Sequence, residues 1–176
     1  ADKHRLITAA IHQNDGKICM QILHAGRYAY HPWSVAPSSI KAPISPFKPW
    51  KLPTWYVDKT IDHFARAASL AQDAGYDGVE IMGSEGYLIN QFLVTHTNQR
   101  TDKWGGSFEN RMQFPLEIIR RIRQKTGKNF ILIYRLSMLD LIPNGQTNEE
   151  IVLLAKEVEK AGVNIINTGI GWHEAR

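Results

Sequence analysis

A single cysteine, Cys19, stands in the 176 residues. That excludes an internal disulfide and any metal site built from several thiolates within this chain. Cys19 falls in a β-rich run, where a thiol serves as a small core residue. No apolar run approaches the ~18–20 residues of a membrane-spanning helix. The opening Ala1-Asp2-Lys3-His4-Arg5 leads into no signal-type apolar core, so a cytoplasmic protein is expected, with no membrane partner. Long runs of like charge are also missing: 21 Lys+Arg against 17 Asp+Glu leave a net charge of +4, spread along the chain. The densest basic group, Arg120, Arg121, Arg123, Lys125 and Lys128, alternates with Ile118, Ile119 and Ile122, which describes the wet face of an amphipathic helix. No aromatic residues interleave with it, so no nucleic-acid partner is expected. No strand is followed by G-x-G-x-x-G, and G-x-x-x-x-G-K-[ST] does not occur. Gly169-Ile170-Gly171 lacks the third glycine and comes too late to open a helix.

What the chain does have is the composition of a globular protein, 43% hydrophobic and 22% charged. Helix-period runs alternate with short β-rich ones. Leu6, Ile7, Ala10 and Ile11 sit at helical spacing before an Asn14-Asp15-Gly16 turn and a strand over 17–23. After a Pro-rich stretch, a helix is predicted over 58–74, closed by Gly75. A strand over 76–81 follows, then a long loop or broken helix over 83–109. A helix over 110–126 carries Pro115 at its first turn or a kink. The nearly all-apolar run 130–136 predicts a strand buried on both faces. Thr147-Asn148-Glu149-Glu150 reads as a capping box, opening a helix stopped by Gly162 before a last strand over 163–168. This αβαβαβαβ order calls for a parallel sheet with right-handed crossovers.

An open doubly wound sheet and a TIM barrel compete. Polar groups crowd the C-terminal end of every strand: Gln21, His24 and Arg27, then Glu85 and Tyr87, then Arg135, then Thr168 and His173. In a TIM barrel all these ends open onto one active-site face, so the barrel explains the pattern better. Four βα units make half of a (β/α)8 barrel, which usually takes ~250 residues. Residues 1–176 are therefore expected to be a partial barrel domain, an excerpt of a longer chain that supplies the remaining strands.

Several motifs, in order along essentially the whole chain, carry a family resemblance. They are Gln21-Ile22-Leu23-His24-Ala25-Gly26-Arg27, Gly78-Val79-Glu80-Ile81, Gly86-Tyr87-Leu88-Ile89-Asn90-Gln91-Phe92, and the stretch from Asn98-Gln99-Arg100-Thr101-Asp102 to Asn110-Arg111. Together they resemble the old yellow enzyme family of flavin oxidoreductases. Met82-Gly83-Ser84-Glu85-Gly86-Tyr87 and the segment from Asn167 to Arg176 resemble its bacterial 2,4-dienoyl-CoA reductase branch.

The resemblance implies a TIM barrel holding FMN at the strand C-termini. It assigns Gln21 to the flavin pyrimidine ring and Arg135 to the negative charge that reduction places there. Read from pattern alone, Gln21 could equally bond a strand neighbour, and Arg135 could pair with an Asp or Glu. Many family members bind the substrate carbonyl with a histidine where Met82 stands and an Asn or His where Glu85 stands. That departure favours the dienoyl-CoA branch. Tyr87 then matches the proton donor, with His173 and Glu85 assisting it. The loop Thr97-Asn98-Gln99-Arg100, with Glu174, is implied to contact substrate, and Arg27 and Tyr28 to lie at the same mouth. Alternatively Arg100, Asp102 and Arg111 hold that loop by salt bridges. No metal ligands are expected within the chain. The branch implies FAD, NADPH and an iron–sulfur cluster further along a longer protein, with no motifs for them here. A 2-enoate or other ene-reductase, an inactive barrel fragment, and a tRNA-modifying dihydrouridine synthase stand as alternatives. The last family uses a loop cysteine as acid, whereas Cys19 is in a strand.

Overall fold

The structure, a computed structural model, describes residues 2–175. Along the chain run α1 (Asp2–His12), β1 (Cys19–Ile22), a 3₁₀ turn at Gly26–Tyr28, β2 (Val35–Ala36), β3 (Trp50–Lys51), α2 (Thr54–Asp73), β4 (Gly78–Gly83), α3 (Leu88–Leu93), α4 (Phe108–Arg111), α5 (Gln113–Thr126), β5 (Ile131–Leu139), α6 (Asn148–Ala161) and β6 (Ile165–Ile170). The main sheet has the order β1-β4-β5-β6 with every pair parallel. Sequential strands joined by helical crossovers become neighbours, as the alternation of periods requires. β2 and β3 form a separate two-stranded parallel ladder inside the Pro-rich stretch, where too few residues pair to leave a period-two signal.

The helices α2, α5 and α6 pack on one face of the sheet. Ile61, Phe64, Ala65 and Ala68 of α2, Ile118, Ile119 and Ile122 of α5, and Ile151, Leu154 and Val158 of α6 are buried against Val79, Ile81, Leu132, Tyr134 and Leu136. The capping box at Thr147 and Glu150 is formed, and Gly162 caps α6 in the left-handed region at φ 115°.

Two expectations need correction. The strand over 130–136 is buried on alternate positions only, with Ile131, Ile133 and Arg135 half-buried. Its second face looks into the open lumen, where no second layer covers it. The helix predicted over 110–126 is two helices: the turn at Met112 separates α4 from α5, and Pro115 falls in the first turn of α5, where its missing N–H costs nothing. The loop or broken helix read over 83–109 holds the short α3, completely buried along all six residues. A helix buried all round lacks the amphipathic stripe by which sequence reveals helices.

Candidate active site

Period-two alternation on parallel strands puts Gln21, Glu80, Met82, Arg135 and Asn167 on the lumen face. Glu80 accepts from Gln21 Nε2 at 2.7 Å through one carboxylate oxygen and from Asn167 Nδ2 at 2.7 Å through the other. Gln21 and Arg135 thus share one face with β4 between them. Glu80 escaped the sequence reading. Its signal was a charge inside the otherwise apolar run Gly78-Val79-Glu80-Ile81, in phase with Met82.

Arg135 donates from Nε and Nη2 to Glu85 Oε1 at 2.9 and 2.7 Å. Both side chains remain roughly a quarter exposed. Glu85 occupies the left-handed region at φ 62°, which costs an L-residue ~1–2 kcal/mol. The two-pronged pairing with Arg135 is a compensating force. The next residue must be glycine for a second reason. At Gly86, with φ 81°, a Cβ would come within 2.5 Å of the Tyr28 hydroxyl and 2.6 Å of the Trp172 ring.

That tight turn presents Tyr87, whose hydroxyl lies 2.8 Å from His173 Nε2 across the rim. The two rings meet edge-on at 5.0 Å, and Tyr28 stands edge-on to both. Glu85 Oε2 is 3.9 Å from His173 Nε2. The Tyr87 phenol titrates above its ordinary value, first because burial disfavours the phenolate and second because the Glu85 carboxylate repels it. A phenol held protonated beside an imidazole is arranged to hand over a proton when an acceptor arrives. The structure therefore brings together Glu85 and Tyr87 from the turn after β4, Arg135 from within β5, and His173 from the segment after β6.

Arg27 and Glu174 also meet, in a buried ion pair with both side chains under 5% exposed. Glu174 accepts from Tyr28 at 3.0 Å and lies 3.5 Å from His96. Arg27 packs its guanidinium over the rings of Tyr28 and Trp172. Both members of the pair line a cavity of about 400 Å³ with Lys41, His96, Leu141 and Pro143.

The loop over 97–100 is different. Thr97 Oγ1 donates to Gln91 O, Asn98 Nδ2 to Phe92 O and Trp104 O, and all three side chains Thr97, Asn98 and Arg100 are buried. Arg100 donates to Pro37 O, Leu52 O and the Asp102 carboxylate. Arg111 pairs with Glu150. The implied substrate contacts of Thr97, Asn98 and Arg100 are thus replaced by contacts that hold the loop together. The physical reason is that these side-chain donors already have acceptors within the protein: backbone carbonyls, the Asp102 carboxylate and the Thr54 hydroxyl. Gln99 alone of the four is exposed. Arg176, last in the segment that resembled the dienoyl-CoA branch, lies outside the described residues.

This arrangement of strand ends agrees with comparison to known proteins. Residues 1–176 match the NADH:flavin oxidoreductase / NADH oxidase family throughout. The chain belongs to that family. An NADH oxidase of Thermoanaerobacter brockii is 40% identical over 174 residues, covering 96% of this chain and 27% of the relative. Among solved structures, a 2-naphthoyl-CoA reductase in complex with 2-naphthoyl-CoA superposes with a TM-score of 0.90 at 34% identity, covering 98% of this chain and 29% of that one. An old yellow enzyme homologue from Zymomonas mobilis superposes with a TM-score of 0.88 at 28% identity, covering 97% of this chain and 52% of that one. The chain thus spans about a quarter of the length of curated relatives such as the NADH oxidase, and its four parallel strands are part of an old-yellow-enzyme TIM barrel.

Family membership implies FMN, and the residues present fit it. Beyond its bond to Glu80, Gln21 keeps its amide oxygen and a second N–H, and beyond its pair with Glu85, Arg135 keeps Nη1 and its positive charge, on one half-open face where a pyrimidine edge can meet them. At Gly169 a Cβ would come within 3.2 Å of Glu85 and Ser84 and 3.4 Å of Arg135. Glycine there leaves space at the rim beside the cation. Among the described residues no helix is long and apolar enough to cross a membrane, and no group of His, Cys, Asp and Glu could hold a metal ion.

Proposed function

We propose that residues 1–176 form part of the FMN-binding barrel domain of a 2,4-dienoyl-CoA reductase. The observation that carries this reading is the 2.8 Å approach of the Tyr87 hydroxyl to His173 Nε2, beside the Arg135–Glu85 pair. FMN, when bound, would supply the hydride chemistry for reduction of the conjugated thioester, with NADPH as the source of electrons. Tyr87 then gives the phenolic proton to the carbon skeleton. For that, His173 presents Nε2–H to the phenol oxygen and stabilises the phenolate left behind. Arg135 and Gln21 hold the flavin pyrimidine ring, and Glu85 orients Arg135. Met82 and Glu85 leave the rim without the histidine-based carbonyl clamp that many family members carry. The likeness to a reductase that binds 2-naphthoyl-CoA supports a thioester substrate. Gln99, Arg27, Tyr28 and Glu174 are the remaining substrate-side residues; Arg27 and Glu174 line the cavity, and Tyr28 donates to Glu174. FAD and an iron–sulfur cluster belong to the same proposal, outside this chain, as does a place in the oxidation of unsaturated fatty acids.

The test is reoxidation of the reduced flavoprotein by 2,4-hexadienoyl-CoA, 2-naphthoyl-CoA and free 2-enoates. Fastest reoxidation by the dienoyl thioester supports the proposal. Preference for a free enoate replaces it with a general ene-reductase, and absence of flavin binding in the intact protein leaves only an inactive barrel.

Two further outcomes follow from the site. Arg135→Leu removes a cation and its charge-assisted hydrogen bonds, worth roughly 1.5–3 kcal/mol, so FMN affinity should fall about 10–100-fold. An unchanged dissociation constant in a flavin titration removes Arg135 from the site. Glu85→Gln deletes the charge that repels the phenolate and frees the Arg135 cation. Both changes lower the Tyr87 pKa. The alkaline limb of turnover, expected in the parent above the ordinary tyrosine value of about 10 because the Tyr87 phenol is raised, should move to lower pH in the variant. A pH–rate profile with an unmoved limb severs Glu85 from Tyr87.

A further inference from the structure

We propose that Asp140 is the positioning residue that sets the Tyr87–His173 pair, by tying the two separate turns that carry these side chains to one buried carboxylate. Asp140 follows the irregularity between Ser137 and Leu139 at the end of β5 and is 2% exposed. Its Oδ1 accepts from Ser137 Oγ at 2.7 Å, Trp172 Nε1 at 2.9 Å and Asn90 Nδ2 at 3.2 Å, and its Oδ2 accepts from Gln146 N at 2.7 Å. Its backbone carbonyl accepts from Trp172 N at 3.0 Å.

Two of these bonds lead directly to the site. Trp172 immediately precedes His173, so both its indole and its backbone N–H fix where the imidazole starts. Asn90 receives Gly86 N–H on its own Oδ1 at 3.0 Å, and Gly86 immediately precedes Tyr87. The path Gly86–Asn90–Asp140–Trp172 therefore spans from one member of the pair to the other without passing through either side chain.

Asp140 has no cationic partner among the described residues. A buried carboxylate held only by neutral donors is costly as a stabilising device, whereas several neutral donors converging on one acceptor define geometry well. Gly145 makes room for it, since a Cβ there would lie 2.9 Å from Asp140 Cβ and 3.0 Å from its Oδ2. Asparagine at 140 would point an N–H₂ at groups that are themselves donors and would break at least one bond of the hub.

The proposal rests on Tyr87 and His173 being the proton-transfer pair, and its test keeps the two apart. Imidazole ¹⁵N resonances of His173 in the intact protein report its hydrogen bond to Tyr87 independently of turnover. Tyr87→Phe should move them in the parent. In Asp140→Asn the resonances should already be moved, and adding Tyr87→Phe should change them no further. Trp172→Phe, which deletes a single donor and keeps an aromatic ring, should act in the same direction and decides the matter if Asp140→Asn does not fold. In kinetics, Asp140→Asn should leave flavin reduction by NADPH unchanged and slow reoxidation by the dienoyl thioester on the order of 10²-fold, as a displaced reacting group does. Parent-like His173 resonances in the folded variants overturn the proposal. Moved resonances with unaltered reoxidation keep Asp140 as the positioning residue and instead overturn the proton-transfer role of the pair.

Discussion

Tyr87→Phe in the flavin-loaded protein is expected to slow transfer to the substrate by about 10²–10⁴-fold, the usual weight of a positioned general acid. The substitution removes the phenolic proton and the 2.8 Å contact with His173. It keeps the ring, and so keeps the edge-on packing against Tyr28 and His173 that occupies this side of the rim. Flavin binding should therefore be unchanged, because Gln21 and Arg135 lie on strands that the substitution does not touch. Stopped-flow measurement separates the two half-reactions. Reduction by NADPH should run at the parent rate while reoxidation by the dienoyl thioester falls. Equal reoxidation rates in parent and variant would place the proton donor elsewhere and remove Tyr87 from the chemistry.

Arg100→Ala should destabilise the fold by roughly 2–6 kcal/mol, about 1–3 kcal/mol for each of two buried acceptors left without a donor. The Arg100 side chain is 1% exposed. It joins the Pro-rich stretch through Pro37 O at 3.0 Å and Leu52 O at 2.6 Å to the loop after α3 through Asp102. Alanine would leave two buried carbonyls without their donor and take the cation away from the Asp102 carboxylate, which keeps Thr54 Oγ1 and Trp104 N. The Asp102 carboxyl titrates well below the usual range, chiefly because Arg100 donates to it, with Thr54 and Trp104 N–H contributing. A lowered carboxyl pKa stabilises the fold above the ordinary Asp value near 3.9, and that stability is lost as pH falls below it. The difference between parent and Arg100→Ala in urea should accordingly shrink as unfolding is followed into strong acid. A variant as stable as the parent at neutral pH would leave Arg100 free to meet substrate after all.

The outcome for Arg100 and its neighbours shows why the site was only partly legible. Asn98-Gln99-Arg100 carries polar groups in a long loop, and residue types alone do not say whether such groups face a ligand or the backbone that the loop must satisfy. Folding answers with distances: Asn98 and Arg100 are enclosed by carbonyls of Phe92, Trp104, Pro37 and Leu52. Glu80 and Asp140 were missed for the converse reason. Each gains its importance from partners on other strands or loops, Gln21 and Asn167 for one, Trp172 and Asn90 for the other. Nothing local marks those associations.

By itself the sequence determined the parallel α/β architecture, because period-two and period-3.6 runs alternate, Gly75, Gly127 and Gly162 follow the helices, and the capping box opens α6. It also marked the strand ends where polar groups gather, since Gln21, Arg135 and the Glu85–Tyr87 turn stand at or near the point where each periodic run stops. Tertiary structure alone decided the pairing: that Arg135 meets Glu85, that His173 reaches Tyr87 across the rim, that Arg27 and Glu174 lie buried together, and that α3 is a helix enclosed on all sides. Local propensity and hydrophobic period act over a few residues, whereas each of these contacts joins segments brought together only when the strands align into one sheet.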